Sequence, residues 1–399
     1  MAHRSAGTLA LPWSQTSNQR SGKQRVPADH TLLAVTMILA LLGLVMVFSA
    51  SAIVAGNRFQ DPGFFLKRQI AWFAFGLLLM HLASRVDYMV WKKLSVPILI
   101  CMVGLLVMVL VPSIGVAAKG ARRWLRIGPI SMQPAEMVKL VVVIYMAAYL
   151  AKKGEKITLF REGLLPAMIV IGLLSGLVLL EPDLGTVVVL GLVTIGMWFL
   201  AGARIPHLLA LGLGAIPVAL ALVLGSSYRR QRLMTFLAPW KDASDGGFQI
   251  TQSFLSFGSG GPFGVGLGEG KQKLYFLPEA HTDFVLALVG EELGLIGTVT
   301  VILLFAFFVW RGFQISARAR VPFGRYLGMG ITLLIGGQAL VNAAVVTGLL
   351  PTKGLTLPFI SYGGSSLVIS LIGVGILLSI SRDRHAGGYR GGRGGLDHG

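Results

Sequence analysis

The stretch SSYRRQRLMTFLAPWKDASDGGFQITQSFLSFGSGGPFGVGLGEGKQKLYFLPEAH, Ser226 to His281, is a polar interruption of roughly 55 residues between apolar spans. It runs through Thr282 and Asp283 into FVLALVG, which reads as the start of an apolar helix. In a chain of short connections, a loop of this length is usually functional. Of the 399 residues around and within it, 54% are hydrophobic and 13% charged, and the mean hydropathy is +0.74. That composition excludes a soluble globular chain.

About ten apolar stretches approach the ~20 residues that cross a bilayer. They lie roughly at 31–53, 67–84, 94–112, 134–151, 164–181, 184–202, 206–224, 283–310, 325–349 and 359–381. The expected fold is an all-α polytopic membrane protein of about ten transmembrane helices. Its long extracytoplasmic loop, 225–283, falls between the seventh and eighth. Residues 1–30 are polar, lack an apolar core and precede a full-length span, so they read as a cytoplasmic tail and not a signal peptide. Residues 31–382 read as one membrane domain, followed by a basic, Gly-rich tail at 383–399. Such a juxtamembrane tail suits anionic membrane lipids, and no nucleic-acid partner is expected. The single cysteine, Cys101, lies mid-span, which excludes an intrachain disulfide and argues against thiol catalysis.

An even number of spans puts both basic tails on one side, the cytoplasm by the positive-inside rule. Two loops then carry cations on the wrong side. One holds Lys119, Arg122, Arg123 and Arg126; the other holds Arg229, Arg230, Arg232, Lys241, Lys271 and Lys273. A long loop translocates regardless of charge, which partly accounts for the second but not for the short first one. The alternative is that both face an anionic group at the outer surface. Phosphate fits, because Arg binds it bidentately and Lys as a compact charge.

Three segments carry the candidate chemistry. Lys119 to Leu140 reads as a basic, amphipathic approach to the fourth span, with a turn at Gly128–Pro129 and Pro134 near a helix start. Glu136 and Lys139 then share a helical face, either as a structural ion pair or as a pair facing a polar cavity. Leu277 to Gly294 gathers Glu279, His281 and Asp283 at the membrane surface. Asp283 is placed to cap the helix that follows. Glu291 and Glu292 come about 12–13 Å further along that helix, where carboxylates imply partners, function, or an ion path. Asn342 to Ser366 is a Pro/Gly-rich re-entrant or loop stretch with Lys353 as its only charge and hydroxyls at Ser361, Tyr362, Ser365 and Ser366.

In order and spacing, GARRWLRIGPISMQPAE (Gly120–Glu136), LPEAHTDFVLALVGEELG (Leu277–Gly294) and LPTKGLTLPFISYGGSS (Leu350–Ser366) resemble the SEDS family of bacterial cell-wall polymerases. The likeness spans roughly residues 31–382, with Ala344 standing where the family pattern leads one to expect Gly. Lys353–Gly354 and the APW…GGFQITQS stretch (Ala238–Ser253) look like the division branch rather than the elongation branch. This resemblance implies a peptidoglycan glycosyltransferase of the cytoplasmic (inner) membrane at the division septum. Its substrate would be lipid II, a disaccharide-pentapeptide on undecaprenyl pyrophosphate, polymerised into β-1,4-linked glycan. The implied partners are a class B penicillin-binding protein, which is a transpeptidase, and other divisome proteins.

The family's acidic HTD residue falls on Asp283, and its acid/lysine pair on Glu136 and Lys139. Glycosyl transfer from a pyrophosphate needs a base for the acceptor hydroxyl and charge neutralisation for the leaving group. Asp283 is the expected base. Lys119, Arg122, Arg123, Arg229 and Arg230 are the expected pyrophosphate ligands, with His281, Lys353, Ser361 and Ser365 as further substrate contacts. A divalent cation, Mg²⁺ or Mn²⁺, would have Asp283 as its protein ligand. Two other classes remain: a transporter or lipid II flippase, which the ten spans, Glu291, Glu292 and the broken segment before the last span suit, and a division scaffold without catalysis, whose tails and loops would be docking surfaces.

Overall fold

The structure is a computed structural model that describes residues 28–118, 121–128, 130–242, 247–274 and 280–382. Both tails, Lys119 and Glu279 lie outside these. The chain opens with α1 (His30–Phe59), α2 (Phe64–Arg85) and α3 (Met89–Leu110). A small sheet follows, β1 (Gly115–Ala118), β2 (Ala121–Ile127) and β3 (Ile130–Met132). Next come α4 (Pro134–Lys153), α5 (Leu165–Leu180), α6 (Leu184–Leu200) and α7 (Ile205–Leu224). The polar interruption folds as α8 (Ser227–Leu237), α9 (Phe248–Gly260) and α10 (Val285–Glu292). The chain then returns through α11 (Gly294–Ala317), α12 (Pro322–Val346) and α13 (Gly364–Arg382).

Among the described residues eight helical stretches are long and apolar enough to cross a membrane, and the 22-residue α2 and 17-residue α6 fall on the other two spans expected from sequence. Helix starts follow local chemistry. The Asp29 carboxylate accepts a hydrogen bond from Leu32 N at 3.1 Å to cap α1, and Asp183 caps α6 through Thr186 N at 3.0 Å. Pro134 and Pro322 stand in the first turns of α4 and α12, where the missing N–H has no helical partner to lose. The core is formed chiefly by α4, α12 and α13, which bury the largest share of their surfaces among the spans. On α1, Gly43 lies so close to Phe359 and Ile360 that a Cβ would meet the Phe359 carbonyl oxygen. That close approach lets the irregular segment before α13 reach into the bundle.

Two expectations need correcting. The approach to α4 is not simply amphipathic chain but an antiparallel β1-β2-β3 meander. Ala118 pairs with Ala121 and Ile127 with Ile130, and Gly128 after β2 has φ +59. Strand alternation puts Leu125 and Arg123 on the bundle side and exposes Arg122 and Arg126. The alternation spans only seven residues and is obscured by the Arg122–Arg123 pair, so it does not stand out in the sequence.

The second correction concerns the span predicted at 283–310, which is broken. α10 ends at Glu292 and α11 begins at Gly294, whose φ is +69 and whose Cβ would collide with the backbone of Pro262–Gly264. Nor does Asp283 cap α10; Phe284 occupies the N-cap and no side chain caps that end. Glu291 and Glu292 therefore stand at the α10–α11 break and serve as anchors. Glu291 Oε1 accepts from the Lys271 and Gln272 N–H groups at 2.7 and 3.2 Å. Glu292 accepts from Ser49 Oγ at 2.6 Å, Gly268 N at 3.1 Å and Lys273 Nζ at 2.8 Å. The carboxylates that suggested an ion path are thus bound by the loop and by α1.

Candidate active site

The site is organised by the irregular segment 351–363 between α12 and α13. Chain of this kind is stable at membrane depth when its polar groups find partners inside the protein. Ser361 Oγ accepts from Leu357 N at 2.8 Å, and Gln69 Nε2 of α2 donates to the Ser361 carbonyl at 3.2 Å. Tyr362 N donates to the His281 carbonyl at 2.8 Å, which joins this segment to the turn carrying Asp283.

Asp283 is half-buried in that turn. A Cβ on Gly354 would sit 3.3 Å from its Oδ2, so the carboxylate lies directly against the backbone beside Lys353. Lys353 is itself half-buried. The His281 ring packs 4.9 Å from Phe65 and 5.7 Å from Tyr362, between centroids. These rings fix the turn two residues before Asp283.

Glu136 and Lys139 form the ion pair expected from their spacing, with Nζ to Oε2 at 2.7 Å and exposures of 9% and 2%. Beside them is a cavity of about 10 Å³, room for one water, lined also by Gln338, Ser366 and Ser370. Lys139 Nζ also donates to Gln338 Oε1 at 2.8 Å, and Gln338 Nε2 donates to the Thr356 carbonyl at 2.9 Å. Asn342 Nδ2 donates to the Leu355 carbonyl at 2.6 Å and to the Asp283 carbonyl at 2.9 Å. Sequence reasoning missed both amides as site residues. The signal was there, since Gln338 and Asn342 are polar side chains one turn apart in an apolar span.

The expected anion ligands divide. Arg122 and Arg230 are exposed. Arg123 is engaged by the protein itself, donating through Nε to the Glu181 carbonyl at 2.8 Å and through Nη2 to that of Pro182 at 2.7 Å. Arg229 donates to the Leu222 carbonyl at 3.0 Å. Arg232, not singled out as a ligand, donates to the Thr352 carbonyl at 3.1 Å, next to Lys353. Ser365 Oγ accepts from Gln133 N at 3.2 Å, tying α13 to the start of α4. Lys119 lies outside the described residues.

The α5–α6 turn that Arg123 holds contains an unusual group. Glu181 is fully buried and neither carboxyl oxygen has a hydrogen-bond partner. Burial, with the Asp183 charge adding and Arg123 opposing, pushes its pKa up to about 8. Between its ordinary 4.5 and about 8 the folded protein keeps a proton that the unfolded chain releases, so stability falls as pH rises through that window. Glu181→Gln is expected to remove this slope. At pH 8 the variant should be the more stable by at most about 5 kcal/mol, and at pH 4.5 the two should be similar. Thermal melts in detergent at the two pH values check it. Equal slopes would show that Glu181 is ionised in the fold.

Comparison with known proteins places this geometry among relatives. The profile of the Cell cycle protein family covering FtsW, RodA and SpoVE matches residues 29–386. The chain is 49% identical over 353 residues to "Probable peptidoglycan glycosyltransferase FtsW" of Geobacter sulfurreducens, covering 88% of this chain and 95% of that protein. It is 42% identical over 359 residues to "Stage V sporulation protein E" of Bacillus subtilis, covering 90% and 98%. Among solved structures it resembles a chain from work on the structural coordination of polymerization and crosslinking by a peptidoglycan synthase complex. There the TM-score is 0.74 at 31% identity, covering 90% of this chain and 99% of that one. It also resembles the rod shape determining protein RodA of Thermus thermophilus, with TM-score 0.66 at 29% identity over 90% and 98%.

Proposed function

The chain belongs to the FtsW/RodA/SpoVE family of multi-pass membrane proteins, and from that premise we propose how it works as a peptidoglycan glycosyltransferase. Its substrate is lipid II, and Asp283 is the general base. The 4-hydroxyl of the acceptor GlcNAc attacks the anomeric carbon of the donor and its proton passes to the Asp283 carboxylate. The bond to undecaprenyl pyrophosphate breaks with the electron pair leaving on the phosphate oxygen. In-line attack on an α-linked donor inverts it and gives a β-1,4 link. The departing pyrophosphate needs charge neutralisation rather than an acid, and in this reading Lys353, next to the glycine that meets Asp283, and the exposed Arg122 and Arg230 supply it. Ser361 and Ser365 instead hold the walls of the site, while Arg123 and Arg229 brace the α5–α6 turn and the α7–α8 corner.

The observation that carries this reading is the Asp283 carboxylate lying against the Lys353–Gly354 backbone, in a turn fixed by α12 and by the His281 ring cluster. Among the described residues no three His, Cys, Asp or Glu side chains are grouped to hold a metal, and in this reading Asp283 would be the protein's ligand to a divalent ion. Its remaining ligands would be substrate phosphate oxygens and water, a set that Mg²⁺ or Mn²⁺ accepts, and the ion would supply further neutralisation of the pyrophosphate. The partner in this reading is a class B penicillin-binding protein within the divisome, with both tails cytoplasmic and the loop outside at the septum.

Reconstitution tests it. Protein in detergent, given lipid II and its partner transpeptidase, should form glycan polymer that a muramidase degrades. Recovery of unchanged lipid II, with transbilayer movement when the same protein is placed in vesicles, would instead make it a flippase.

A further inference from the structure

Gln338 and Asn342 stand one turn apart on α12 and are almost fully buried. Their amides hold neighbouring carbonyls of the same irregular segment, Asn342 at Leu355 and Gln338 at Thr356. Each amide also faces a functional group on its other side. Gln338 Oε1 receives the Lys139 ammonium, and Asn342 Nδ2 donates to the backbone carbonyl of Asp283. Thr356 Oγ1 continues the chain to Ser366 Oγ at 2.9 Å, at the head of α13. An unbroken path of short hydrogen bonds therefore leads from the Glu136–Lys139 pair to the segment bearing Lys353. A second joins that segment to Asp283.

The chemistry at each position demands an amide. Gln338 must accept from an ammonium and donate to a carbonyl, and a carboxylate of the same shape fails at the second task. Asn342 meets two carbonyl oxygens with one NH₂ group, while its own Oδ1 is buried without a partner. An Asp there would set acceptor against acceptor. Both amides are spent on the groups they hold.

We propose that Gln338 and Asn342 are positioning residues of glycosyl transfer, Gln338 coupling the Glu136–Lys139 pair to the Lys353 segment and Asn342 locking that segment to the Asp283 turn. This rests on the polymerase reading above. In it, Lys139 reaches the reacting atoms only through Gln338, so the ion pair sets geometry and touches no substrate.

The isosteric variants Gln338→Glu and Asn342→Asp test it in the full-length protein with its partner transpeptidase and lipid II. Each should lower kcat roughly 10–100-fold with the lipid II KM within about threefold of wild type, the pattern of lost alignment. Gln338→Glu combined with Lys139→Met should lose no more than about twice what the worse single variant loses, because both cut one path. Backbone amide exchange provides a readout independent of activity. It should accelerate about tenfold over 353–357 in both single variants and stay unchanged over 366–380 of α13.

A KM increase at constant kcat, fully multiplicative single effects, or unaltered exchange over 353–357 would each overturn the assignment. If wild-type protein makes no polymer yet the exchange pattern appears, the enzymatic reading has failed and the mechanical coupling stands.

Discussion

Replacing Asp283 by Asn should reduce glycan polymerisation from lipid II by 10²–10⁴-fold, the range associated with removing a positioned general base. The fold should survive, because this turn is held by backbone-carbonyl contacts that an Asn side chain leaves in place. Asn342 grips the Asp283 carbonyl, and Tyr362 N grips that of His281. The Asn side chain keeps the shape that fits against Gly354. The thermal midpoint and binding of the partner transpeptidase should therefore be close to wild type while kcat collapses. Normal glycan extension by a folded, partner-bound Asp283→Asn protein would remove Asp283 from the mechanism.

The second large effect is expected from Lys139→Met. Glu136 would keep a buried carboxylate without its cation, and breaking a buried pair by removing one partner typically costs about 3–5 kcal/mol. Gln338 would also lose the donor that orients its amide. The single variant should melt well below wild type and lose roughly 10–100-fold in kcat, as Gln338→Glu does. Adding Glu136→Gln removes the stranded charge, so the double variant should regain most of the lost stability. It should not regain activity, since the path from Lys139 to Thr356 is still cut. Detergent melts and polymer yield, measured side by side on the two proteins, separate these contributions. Recovery of both together would mean that the pair only stabilises the bundle.

Much of this site can be read in the sequence because its signals are local. The apolar stretches give ten spans, three-residue spacing gives the Glu136–Lys139 pair, and Pro134 marks the start of α4. What the sequence conceals depends on distant partners. Arg123 looks like an anion ligand until Glu181 and Pro182, some sixty positions on, present their carbonyls to it. Glu291 and Glu292 look like carboxylates stranded in a helix until the glycine-rich loop folds back over them. The break at Gly294 is equally hidden, because an apolar run shows no mark of a left-handed residue wedged against Pro262–Gly264. Gln338 and Asn342 gain meaning only when the segment at 353–356 lies beside α12.

The Lys273–Glu292 pair, buried beside Ser49, also fixes an order of events during synthesis. Lys273 leaves the ribosome nineteen residues before its carboxylate, and Ser49 more than two hundred before it. Chains emerge from the N-terminus at about 5–20 residues per second, so Lys273 is made on the order of seconds before Glu292 exists to pair with it. Only when α10 and α11 follow does Glu292 draw Lys273 down onto α1. The interruption is thus latched by the segment that also delivers Asp283, before α12, the 351–363 segment and α13 are made to complete the candidate site.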